Sequence, residues 1–162
     1  MILLLLIILY CLLFIVLVKC AARNSGRNCL YFYSTEYLAE AEKRGIANPD
    51  EINKKKKNFM IPFCIIMFVV LILFLVVCNH VTDFKTAYFQ TVLFLVVMNW
   101  FDGIVIDKIW VGHSKIWKIE EMEGVPYVHP WKTIMTKRSV ATIVYLILAF
   151  PVAGLVVLLG RI

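Results

Sequence analysis

The sequence predicts an all-α, polytopic membrane protein with four transmembrane helices and a short helix in its first cytoplasmic loop. Three observations carry that prediction. Of 162 residues, 62% are apolar, and the mean hydropathy is +0.83, well above the roughly half-apolar composition of soluble domains. Three runs, 1–18, 60–78 and 140–160, contain no charged residue, and each is long enough to cross about 30 Å of hydrocarbon at about 1.5 Å per helical residue. A fourth run, 87–106, has comparable length but carries Gln90, Asn99 and Asp102. Backbone groups in lipid have no water to bond, so such runs must be helical, and the short alternating segments of a membrane barrel do not occur.

These runs define one membrane domain over 1–162, with long loops at 19–59 and 107–139. The first span begins without a basic residue, and its apolar core is longer than that of a secretory signal. Its charges follow at Lys19, Arg23 and Arg27, so it is expected to be retained as a helix. Nine of the 17 Lys and Arg residues lie within 19–57 and six within 108–138. Positive residues beside spans stay on the cytoplasmic side, which places both long loops inside the cell membrane and both termini outside. The net charge of +6 is therefore a signature of orientation and of attraction to anionic headgroups, not of nucleic-acid binding. Five cysteines form no C-x-x-C pair. Cys11, Cys64 and Cys78 read as small apolar residues, Cys20 and Cys29 as cytoplasmic thiols, with Cys20 also placed for acylation.

Within the first loop, Ser34 caps a helix over 35–44 that ends at Gly45, and Glu40 and Arg44 have the spacing of a surface ion pair. Asn48, Pro49 and Glu51 mark a second helix start, which runs through Lys54, Lys55, Lys56 and Lys57 into the second span. Those lysines anchor it among lipid headgroups, and Pro62 is expected to bend it. The 79–86 turn is too short for a domain, so spans two and three form an antiparallel hairpin with His80 in a solvated loop. In the fourth span, Pro151 and Gly154 mark a kink or a close helix contact.

The third span ends in N-W-F-D-G-I-V-I-D-K-I-W-V-G-H-S. On an α-helix Asn99, Asp102, Ile106 and His113 share one face. Asp107 would sit about 140° away from Asp102 at about 100° per residue, facing the headgroups. A carboxylate facing lipid costs roughly 2.5–3.5 kcal/mol at the bilayer centre and less near its edge, which turns Asp102 into the bundle. Beyond the span come Glu120, Glu121, Glu123, Tyr127 and His129, with Trp110, Trp117 and Trp131 suited to the interface. Pro126 and Pro130 exclude one continuous helix there.

The series N-W-F-D-G-I-V-I-D, H-S-K, I-E-E-M-E-G and Y-x-H resembles a group of small uncharacterised four-helix bacterial membrane proteins of Firmicutes type. The matching positions are Asn99, Asp102, Asp107, His113, Ser114, Ile119 and Glu123. Glu120 and Glu121 stand where that group has Pro and Gly. The resemblance implies the architecture and singles out these residues; the group has no established activity.

The polar cluster (Asn99, Asp102, Asp107, His113, Glu123, His129) admits several functions. An accessory component of a membrane complex uses Asn99 and Asp102 for helix contacts or to dock a membrane-protein partner or second copy, and asks least of the residues. An enzyme on a lipid or isoprenoid headgroup is the runner-up, with Asp102 or Glu123 as base and His113 as acid. A small oligomeric transporter needs a polar path from Gln90 to Asp102. Asp102, His113, Glu123 and His129 are of metal-ligand type but lack a ligand-pair spacing, and no cofactor motif is present.

Overall fold

The computed structural model describes residues 2–23 and 25–161, which are helical or irregular with no strand among them. Helix α1 spans Ile2–Ala22 and α2 Thr35–Lys43; α3 spans Pro49–Cys78, α4 Phe84–His113 and α5 Trp131–Gly160. All but α2 are long and apolar enough to cross a membrane. Their outer faces expose Ile8, Ile65, Ile143 and Ile147, a surface that water disfavours and lipid does not.

The starts of α2 to α5 have local causes. Ser34 Oγ accepts from the Tyr37 amide at 3.2 Å to open α2, Arg44 pairs with Glu40 at 2.9 Å, and Gly45 closes the helix with φ +69°, which a side chain would oppose. Asn48 Oδ1 accepts from the Asp50 amide at 3.0 Å, and Pro49 occupies the first helical position, where its missing N–H costs nothing. Asp83 opens α4 by accepting from the Thr86 amide at 2.9 Å. Pro130 precedes α5, as its ring requires. The helix of the second span thus begins in the first loop, and Pro62 lies inside it.

Two stretches wind more loosely than an α-helix. Phe74–Cys78 and Asp102–Trp110 are π-helical, with i→i+5 bonds such as Asn79 N–H to Phe74 O and Val111 N–H to Ile106 O. The core lies between α1, α3, α4 and α5. Its centre is Tyr10, Leu71, Leu75, Phe94 and Val156, all nearly or fully buried. Tyr10 meets Phe94 edge to face at 5.4 Å and donates its hydroxyl to Met67 O at 3.1 Å. Helices α4 and α5 form the most extensive pair. Buried Ala149 and Ala153 let helix backbones come close.

The two long connections lie at one end of the bundle, here termed the loop end, and the α3–α4 turn at the other. At the turn end Asn79 Nδ2 donates to Gln90 Oε1 at 2.8 Å, and His80 is exposed. At the loop end the connections fold onto each other. A 3-10 turn at Gly26–Phe32 packs against short turns at Lys115–Trp117 and Glu120–Met122. Tyr33 Oη donates to Trp117 O at 2.6 Å and Arg44 to Glu121 O at 2.9 Å, while Arg27 pairs with Glu121 at 3.0 Å. Trp117, expected at the lipid interface, is instead 1% exposed. It stacks edge to face on Trp110 at 5.5 Å and lies beside Phe32 and Tyr33. The result is an aromatic roof over the loop end of the bundle.

Candidate functional site

Beneath that roof the helices leave a cavity of about 780 Å³. Its deep walls are apolar, with Tyr10, Leu71, Leu95 and Val152 at the inner end. Its loop end is polar, lined by Asp102, Asp107, Arg138, Lys137 and His129 beside Trp117 and Tyr127. Cys64, Ile65 and Phe68 from α3 and Leu148 from α5 both line the cavity and are exposed. It therefore opens sideways between α3 and α5, toward the apolar outer face of the bundle. Lining residues on α5 run from Lys137 to Val152, a length of about 20 Å at about 1.5 Å per residue.

Arg138 organises the polar end. Its Nη1 meets Asp102 Oδ2 at 2.7 Å and its Nη2 meets Asp107 Oδ2 at 2.5 Å. The three side chains keep 18%, 22% and 24% of their exposure respectively, and all three line the cavity. Asn99, 1% exposed, donates through Nδ2 to Arg138 O at 2.8 Å and to Thr142 Oγ1 at 3.1 Å, and its Oδ1 accepts from Arg138 at 3.4 Å. These bonds fix α5 against α4 at the depth where the carboxylates emerge. Gly103 makes the approach possible: a Cβ there would stand 2.9 Å from Arg138 Cγ and Nε. Arg138 Nε is thus pressed against the Gly103 backbone and has no acceptor among the described residues.

The sequence reading of this group needs two corrections. Asp107 does not look away from Asp102. The i→i+5 winding of Asp102–Trp110 returns residues five apart to one face, so both carboxylates reach the same guanidinium. His113 does not continue the Asn99–Asp102 face into the cavity. It is exposed, and its Nδ1 lies 2.8 Å from Ile109 O of its own helix. Glu123 is exposed on the outer side of the loop, and neither it nor His113 lines the cavity. His129 does line it. Lys54, Lys55, Lys56 and Lys57 are all exposed on the first turns of α3. Among the described residues no group of His, Cys, Asp and Glu converges as a metal site.

The residue that sequence reasoning missed is Arg138. It stands two residues before the charge-free run of the fourth span, where the sequence shows only one more loop cation. The signal was available: two acids at the end of span three face the start of span four, and a buried carboxylate needs a partner cation. A polar path along α4 does not form, because Gln90 is bonded to Asn79 and buried Phe94, Leu95 and Met98 separate it from Asp102.

At the rim, the Glu36 carboxyl is held below its usual range by backbone and Ser34 hydrogen bonds, with His129 and Lys137 adding attraction. Both side chains lie near Glu36, and neither is bonded to the Asp102–Arg138–Asp107 group. Burial pushes the Tyr33 and Tyr37 phenols of the roof upward, Tyr37 to about 12. The roof is thus built from neutral aromatic groups. No protein-family model, curated protein or solved structure matches this chain.

Proposed function

We propose that this protein is a multi-pass membrane protein that binds a single lipid-like amphiphile in the cavity between α3 and α5. The observation that carries the reading is the cavity's polarity: an apolar channel about 20 Å long at about 1.5 Å per residue, closed at one end by Asp102, Asp107 and Arg138 and open to lipid along its side. Ligand sites of roughly 300–1,000 Å³ with apolar walls and a few convergent polar groups are the usual form of small-molecule recognition. Here the polar groups lie where a head would rest and the apolar wall where a tail would lie. The distribution of Lys and Arg in the sequence supports a loop end facing the cytoplasm.

A docking role for the cluster has less to support it, because Asn99, Asp102 and Asp107 are engaged by Arg138 within the chain. Acid–base chemistry by His113 and Glu123 has none, since both side chains lie away from the cavity. The test is photolabelling in bilayers with an uncharged alkyl alcohol that carries a diazirine on its chain. Adducts concentrated on cavity residues such as Met67, Leu71 and Val152 support the reading. Adducts spread evenly over lipid-facing Ile143 and Ile147 would reject it.

A further inference from the structure

We propose that the head of the bound amphiphile carries a protonated amine, which sits against the carboxylates of Asp102 and Asp107. This rests on the amphiphile-binding reading and adds the chemical class of the head.

The argument is one of charge and of which atoms remain free. Two carboxylates share one guanidinium at 2.7 and 2.5 Å. Arg138 gives both N–H groups of Nη1, to Asp102 and Asn99, and one of Nη2, to Asp107, and its Nε is buried beside Gly103. One N–H of Nη2 is all that remains for an anionic head. Each aspartate uses only its Oδ2 on Arg138, so the Oδ1 atoms remain as acceptors on residues that line the cavity. With both carboxylates ionised the triad carries one negative charge in excess, and charge removed from water requires a partner. Lys137, which also lines the cavity, stands near enough to Glu36 at the rim to be attracted by it. A phosphate or carboxylate head would meet acceptors of its own sign, whereas an ammonium would complete the charge balance and donate to both free oxygens.

The experiment is competition against the photolabelling described above, with the full chain in bilayers and three competitors of equal chain length: tetradecylamine, tetradecanol and tetradecyl phosphate. The amine is expected to displace the label at about one-tenth or less of the mole fraction needed by the alcohol, the advantage of a charge-assisted bond over a neutral one, and the phosphate to compete least. In Asp102→Asn the amine's advantage should fall to within about threefold of the alcohol, with the alcohol's own competition retained as proof that the cavity persists. Equal competition by amine and alcohol, or preference for the phosphate, would overturn the amine head and leave amphiphile binding intact. Absence of cavity labelling would overturn both.

Discussion

Replacing Arg138 by Met should be the most damaging single change at the polar end, and replacing one of its two acids the least. The two carboxylates are about three-quarters removed from solvent, at 22% and 24% exposure, and both lie within 2.7 Å of the guanidinium. Arg138→Met leaves both without a cation. Removing one member of a buried ion pair costs about 3–5 kcal/mol because the survivor is stranded. The opening to the cavity relieves part of this, so about 3 kcal/mol is expected. Asp102→Asn is different in kind. It leaves one carboxylate for one guanidinium, keeps an amide oxygen to accept from Nη1, and removes a like-charge neighbour. Its cost should stay below about 1 kcal/mol, the range of a neutral hydrogen bond. Reversible unfolding in mixed micelles of mild detergent and dodecyl sulfate measures both. Equal costs for the two variants, or an Arg138→Met cost below about 1 kcal/mol, would refute the charge argument.

Other consequences are smaller and separable. Asn99→Leu removes two donated bonds, at 2.8 and 3.1 Å, and at about 0.6 kcal/mol per interhelical bond on average should cost about 1–2 kcal/mol; a double-mutant cycle with Thr142→Val should show coupling. Gly103→Ala forces a Cβ to within 2.9 Å of an arginine stem that two carboxylates hold in place. The expected loss is about 1–3 kcal/mol, the usual range for overpacking, and pairing with Arg138→Met should shrink it. In the roof, Tyr33→Phe loses the 2.6 Å bond to Trp117 O and should cost about 1 kcal/mol while speeding hydrogen exchange in 115–122. The same roof should loosen in alkali. Tyr37 is shifted up from the ordinary 10 to about 12, so the folded roof favours the neutral phenol. That contribution is complete below pH 10 and lost as pH rises through about 12; ultraviolet absorbance of tyrosinate follows it, and Tyr37→Phe should reduce the alkaline loss.

The architecture was legible because it rests on strong, local signals. Charge-free runs at 1–18, 60–78 and 140–160 report helices that lipid leaves no alternative to forming. Ser34, Asn48 and Pro49 announce helix starts through chemistry contained within four residues. The polar site was legible only in half. Asn99 and Asp102 stood out because an amide and an acid are costly inside an apolar run. The pairing of Asp102 with Asp107 did not, because it depends on π-helical winding over Asp102–Trp110, and the α-helical rule of about 100° per residue separates them. Arg138 was hidden by position, at the edge of a basic loop where a cation is ordinary.

The aromatic roof was not legible either. Tyr33 and Trp117 are 84 residues apart, and a tryptophan near a span end reads as an interface anchor until a second loop is seen to cover it. The cavity arises where α3 and α5 stand apart toward the loop end, while at the turn end Phe74–Cys78 packs against α5. That spacing is set by packing against α1 and α4, and no single segment encodes it.

The most direct test of amphiphile binding is native mass spectrometry of the protein released from its own membranes in mild detergent, beside Cys64→Trp, which fills the side opening from an exposed position on the cavity wall. One bound amphiphile per chain on the native protein, lost from the folded variant, is the predicted result. A ligand-free native protein, or equal lipid retention by both, would contradict the account.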